Sequence, residues 1–289
     1  VTNTANATIG GNGNINLTAA TGLINEGLMT PGSENSGAGG MLNITGDFTN
    51  ASTGTIESRV FGQTDFDKIS VTGNVTLAGT LALRRMPGYQ YTLTPTLGGV
   101  ISGASISGTF AFVQAPFAQS ATPAYNGSSL DVALAPSGIT VRTWTGGGDG
   151  VTWTQATNWS ANAVPTATDA VYIPSGATPQ ITTGTQTVAE FASDAAVTIT
   201  GGTLNLTQPA IMQSVTLNGG TLDGVGTIRT IGGIDWSSGT ITGSGALKTY
   251  GTSNVGSTST LTLSRNWTNL GSINFSSTGR MKCAAIFQI

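Results

Sequence analysis

The sequence predicts an all-β fold built as a β-solenoid, and three observations carry that prediction. The first is an internal repeat: Gly220-Thr221-Leu222-Asp223-Gly224-Val225-Gly226-Thr227-Ile228-Arg229-Thr230 and Gly239-Thr240-Ile241-Thr242-Gly243-Ser244-Gly245-Ala246-Leu247-Lys248-Thr249 superpose on a slide of 19 residues. A weaker copy, Gly201-Gly202-Thr203-Leu204-Asn205-Leu206, lies about one period earlier. Short β-prone runs between glycines at roughly 20-residue spacing are a solenoid pattern, whereas helical repeats run longer. The second observation is composition. Glycine supplies 42 of 289 residues and charged side chains only 8%, against about 25% in an average soluble protein. Thr, Ser and Asn fill the polar role. The third is alternation of apolar and polar residues, with 38% hydrophobic content, enough to form a core rather than a disordered chain.

The physics of such a coil is simple. Side chains alternate between the two faces of a strand. Apolar, β-branched residues point inward, Thr and Ser point outward, and Gly takes corners that need positive φ. One coil cannot bury its own inner face, but the next coil stacked on it at about 4.8 Å can.

The chain follows this plan in order. Ile9-Gly10-Gly11-Asn12-Gly13-Asn14-Ile15-Asn16-Leu17 reads as a glycine turn and an alternating strand, and Leu23 to Met29 as another run before a Pro31-Gly32 turn. Residues 33–40 read as a polar loop. Met41 to Asn50 and Gly54 to Val60 resume the strands. Phe66 to Leu83 gives the cleanest alternation, three short strands split by Gly73 and Gly79. Tyr89 to Leu93, Val100 to Ile106, Thr109 to Val113 and Leu130 to Leu134 are further strand candidates. Spacing is less regular in 60–135, so a β-sandwich is the alternative there. Ala135-Pro136-Ser137-Gly138 marks a boundary. Three of the five Trp residues, Trp144, Trp153 and Trp159, follow close together. Coils resume after Pro179, with Trp236 and Trp267 as interior fillers. The tail from Arg280 to Ile286 departs from the pattern and reads as a cap or an arbitrary end. The expected organisation is a solenoid-like segment over 1–135, a Gly/Trp-rich module over 136–178 and a solenoid with 19-residue coils over 179–289.

Asn25-Glu26-Gly27-Leu28-Met29-Thr30-Pro31-Gly32 and Leu42-Asn43-Ile44-Thr45-Gly46-Asp47-Phe48-Thr49 resemble segments of bacterial autotransporter passengers and related haemagglutinin-like surface adhesins. Asp65 to Gly73 with Gly79-Thr80-Leu81 is similar to the segment that follows in those proteins. The coils from Gly201 to Phe275, including Asn269-Leu270-Gly271-Ser272-Ile273, look like the same class. The resemblance implies a right-handed parallel β-helix on, or released from, a bacterial cell. A membrane-embedded β-barrel translocator is absent, so the chain reads as a passenger fragment or as a member of another secretion class; Val1 looks like a mature or cut end.

Composition removes several functions. Net charge is −3 and only Arg84-Arg85 are adjacent basic residues, which argues against nucleic acid, whose binding needs cations on phosphates. No apolar run is long enough for a transmembrane helix. The chain has no His and one Cys, Cys283. That excludes His-based triads, His-containing metal sites and Cys-rich zinc sites. No cofactor is expected. The carboxylates are scattered: Asp223 and Asp235 are out of step with the coil. Asp65 and Asp67 share a face if extended, the arrangement a glycosidase pair would need, although solvated turn residues are the simpler reading. Gly146-Gly147-Gly148-Asp149-Gly150 lacks the Lys-Ser/Thr of a phosphate loop and reads as a tight turn. Trp144, Trp153 and Trp159 are the best candidate sugar-stacking face, with a plug at the solenoid end as the competing role. Thr-x-Thr pairs such as Thr240-Ile241-Thr242 do not recur coil after coil, as a flat ice-binding face would require. The function expected is therefore a non-enzymatic, extracellular scaffold on a bacterial surface. It would serve adhesion, biofilm or a self-assembling filament, its partners being its own copies or glycans of a host or neighbouring cell. A polysaccharide-binding or polysaccharide-degrading module is the alternative.

Overall fold

A computed structural model describes residues 1–17, 22–33, 36–258, 260–276, 279–284 and 286–288. The chain is all-β, with parallel sheets and two compact units, Val1–Gly138 and Ile139–Ile289.

In the first unit, every third strand in chain order pairs with the next, so three consecutive strands make one tier. One sheet joins Thr2–Asn3, Leu23–Asn25, Phe48–Asn50, Asn74–Leu77 and Ser105–Gly108. A second joins Thr8–Gly11, Leu28–Pro31, Thr55–Val60, Thr80–Arg85 and Phe112–Gln114. All pairs in both are parallel. The third sheet runs in parallel through Gly13–Asn16, Met41–Thr45, Lys68–Val71 and Thr96–Ser102. It then changes: Ser129–Pro136 lies antiparallel to Thr96–Ser102, and Gln119–Tyr125 antiparallel to Ser129–Pro136. This corrects the sandwich alternative for 60–135. The strands from Lys68 to Arg85 pair in parallel on both sides, and among the described strands of this unit antiparallel ladders join only Thr96–Ser102, Ser129–Pro136 and Gln119–Tyr125.

Register explains the burial. Leu23, Phe48 and Val75 stand in one column and all are buried. At the corner beyond them an asparagine ladder climbs the inside of the unit. Asn3 Nδ2 donates to Asn25 Oδ1 at 2.6 Å, and Asn25 Nδ2 to Asn50 Oδ1 at 2.7 Å. Asn50 Nδ2 then donates to the carbonyls of Gly54 and Ala78. A buried amide must be paired, and here each pairs with the tier above. Glycine is required beside it: a Cβ on Gly54 would stand 2.3 Å from the Asn25 carbonyl oxygen.

The second unit forms one parallel sheet system. Its apolar column Phe191, Ala210, Ile228, Leu247 and Trp267 is in register and buried throughout. The 19-residue slide coincides with the hydrogen-bonded register: Thr221 pairs Thr240, Leu222 Ile241, Ile228 Leu247 and Thr230 Thr249. Trp236 and Trp267 are buried with ring centroids 6.3 Å apart. The tail does not break the pattern: Met281–Cys283 pairs in parallel with Leu261–Leu263. The outer face also differs from expectation. Thr185, Thr203, Thr221, Thr240 and Thr262 form one column, tier after tier. The column beside it reads Thr187, Asn205 and Asp223, so no uniform threonine face results.

Candidate functional site

The paired-carboxylate reading fails on geometry. A turn brings Val60 antiparallel to Phe66, and the two carboxylates that flank Phe66 meet different surroundings. Asp65 is exposed and accepts the Gly39 N–H at 2.7 Å. Asp67 is fully buried and grips Arg59 in a two-pronged pair, Nε to Oδ2 at 2.6 Å and Nη2 to Oδ1 at 3.0 Å. Its oxygens also accept the backbone N–H groups of Arg59 and Gly40, while Arg59 Nη2 donates to the Pro31 carbonyl. Burial pushes the Asp67 carboxyl up, against the opposing pull of Arg59. All its lone pairs face protein donors, so it ties a loop down and is not a nucleophile open to substrate. Asp223 and Asp235 lie on different strands, Asp223 opposite Asn205 and Asp235 opposite Thr216.

Another of the buried arginines, Arg265, lies at a glycine corner of the second unit. Its Nε donates to Gly245 O at 2.7 Å, and its Nη2 to Gly224 O and Gly226 O at 2.6 and 2.8 Å. Burial lowers it to about 10, with Asp223 pulling the other way; it stays charged at neutral pH. Gly224 and Gly243, both at positive φ, turn these corners tightly enough for one side chain to reach the carbonyls of two preceding tiers. Among the described residues no group of three or more His, Cys, Asp and Glu could hold a metal ion. Nor is any helix long and apolar enough to cross a membrane.

The tryptophans are brought together, but not as a platform. Trp144, Trp153 and Trp159 are 3%, 1% and 1% exposed. Trp159 meets Trp144 edge-on with centroids 4.9 Å apart, and Trp153 at 4.6 Å. Trp153 in turn stacks on Phe191 at 6.4 Å, the first member of the apolar column. Trp159 Nε1 donates to the Trp153 carbonyl at 2.6 Å. The sugar-stacking assignment of Trp153 and Trp159 is therefore corrected: their faces are spent on each other and on the core. Trp144 alone reaches a cleft.

The glycine loop beside them is closed chemically. Asn158, fully buried, is its centre: its Oδ1 accepts the N–H groups of Gly148 and Gly150, and its carbonyl those of Thr145 and Gly146. Gly147 N–H goes to Thr145 Oγ1 and Asp149 N–H to Gln155 Oε1. Asp149 accepts from Val151 N, Thr152 N, Thr152 Oγ1 and Asn158 Nδ2. Every backbone N–H from 145 to 152 is thus spent internally, leaving no anion nest. The hydroxyl, amide and backbone donors around Asp149 hold its carboxyl well below the usual range.

Between this loop and the turn at 174–178 lies a cleft of about 280 Å³, lined by Trp144, Thr145, Gly146, Gly150 and residues 174–178. Asn158 and Arg265 were not singled out by the sequence, because a lone Asn in a polar loop and a lone Arg between strands carry no spacing signal. Comparison with protein-family models, with curated proteins and with solved structures gives no match.

Proposed function

We propose that each unit is a right-handed parallel β-solenoid segment and that the chain is a non-enzymatic structural protein, a scaffold for adhesion on a bacterial surface. The observation that carries this reading is where the reactive groups are used. Many of the buried ionic and amide groups, among them Asp67, Arg59, Arg265, Asn25, Asn50 and Asn158, bond to neighbouring strands or loops. Such bonding spends polar chemistry on stiffness between tiers. The outer faces carry ladders of neutral polar side chains, among them Asn14 to Asn43 and Asn274 to Asn254, which suit many weak surface contacts. The resemblance to autotransporter passengers and haemagglutinin-like adhesins supports the surface location.

Two measurements test it together. Cryo-electron microscopy of the purified chain should show columns with an axial repeat of about 4.8 Å. Reducing-sugar assays on plant and bacterial polysaccharides should stay at blank level. Sugar release by the pure protein would overturn the non-enzymatic reading, and columns without that repeat would overturn the solenoid.

A further inference from the structure

We propose that the cleft beside Trp144 binds one neutral sugar ring, such as the terminal residue of a surface glycan. This deepens the adhesion reading above by naming a ligand class and a place. Four observations lead there. None of the nine residues lining the cleft is charged, so the site has nothing to pair with a phosphate, carboxylate or ammonium group. What it offers suits a neutral polyol: the hydroxyl of Ser175 and the remaining lone pairs of the Thr145 and Thr178 hydroxyls, which themselves donate to Thr157 O and Gly150 O, beside the apolar surfaces of Pro174 and Ala177. The volume, about 280 Å³, falls just under the roughly 300 Å³ at which pockets begin to take drug-sized ligands. One pyranose fits that space; a folded oligosaccharide does not.

The third observation concerns the indoles. Trp159 Nε1 is spent on Trp153 O, and Trp153 Nε1 is buried. Trp144 Nε1 lies at the cleft wall, 3.6 Å from where a Cβ on Gly146 would stand. It is the indole N–H placed to donate to a ligand hydroxyl. The fourth is preorganisation. The loop wall is held by Asn158 and Asp149, and Thr178 Oγ1 donates across to Gly150 O at 3.3 Å. Little ordering remains to oppose binding.

The test is saturation-transfer NMR on the whole chain with the methyl glycosides of glucose, galactose, mannose and N-acetylglucosamine. Transfer to at least one of them is expected. It should be lost in Ser175→Trp, a rim substitution at an exposed position that fills the cleft without touching the core. It should weaken in Trp144→Phe, which keeps an aromatic ring against Trp159 but removes the N–H together with part of the indole. Thermal melting of each variant shows that the fold is kept. Absence of transfer from all four glycosides overturns the proposal, as does transfer that survives Ser175→Trp. Either failure leaves the scaffold reading standing, because the axial repeat and the sugar-release assay are read independently.

Discussion

Arg265 donates from Nη2 to the carbonyl oxygen of Gly224, 41 residues earlier in the chain, at 2.6 Å. The same guanidinium holds Gly226 and Gly245, so one side chain ties three successive corners. Replacing it by Met should strand those carbonyls in a buried corner. Unpaired buried acceptors cost about 1–3 kcal/mol each, so a loss of roughly 3 kcal/mol or more is expected in urea unfolding. Arg265→Lys should recover only part, because an ammonium cannot span the fork. Full stability in Arg265→Met would show that the corners hold without it.

The asparagine ladder makes a contrast between inside and outside. Asn50 is fully buried and serves Asn25, Gly54 O and Ala78 O. Asn43, bonded to Asn14 on the outer face, has water as an alternative partner. Asn50→Ala should cost about 2–3 kcal/mol and Asn43→Ala less than about 0.5 kcal/mol. Equal costs in denaturant titration would mean that burial of the ladder contributes nothing.

Asp149 gives a pH dependence with a definite sign. Its folded carboxyl titrates below the ordinary value of 3.8 because of Thr152, Asn158 and Val151. A depressed carboxylate lends stability that is present above the unfolded pKa and is lost as pH falls through the folded one. The glycine loop should therefore loosen only below about pH 4. Amide exchange at Gly148 and Gly150 should rise there, and Asp149→Asn should flatten that rise. Loop exchange that climbs already between pH 7 and 5 would contradict the assignment.

For the tryptophan cluster the expected phenotype is unfolding, with no change in ligand stacking. Trp153→Ala should cost about 3–5 kcal/mol, the usual range for a buried large aromatic. Trp153→Phe should cost much less, because Trp153 Nε1 is buried without a hydrogen-bond partner. Thermal melts of the two variants check this directly. An Ala variant as stable as the parent would place Trp153 outside the core.

How much of this was legible depended on spacing. In the second unit, ladder partners lie 18, 19, 19 and 20 residues apart, so sliding the sequence by a constant finds the register. In the first unit the spacing grows through 22, 25, 28 and 31. Corners absorb extra residues there, and the Arg59–Asp67 pair secures one of them. No constant slide reveals such a repeat, although the individual strands show through their alternation. The threonine column from Thr185 to Thr262 escaped for a related reason: its steps vary in length, and the matching residues do not fall at one offset. The tryptophans stood out by density alone. Packing and sugar stacking were both open from the sequence, and the choice depended on Phe191 and on the turn geometry that seats Trp159 under Trp144.

The reach of Arg265 has a mechanical side. A chain pulled from its ends would peel such tiers one after another, each releasing about 19 residues or roughly 65 Å of extended length. Most ruptures would break the backbone rows of one tier and a few paired side chains. The step that frees Arg265 must also break side-chain bonds to Gly245, Gly226 and Gly224. One event in a regular sawtooth of forces should stand above its neighbours, a built-in brake against unravelling under load.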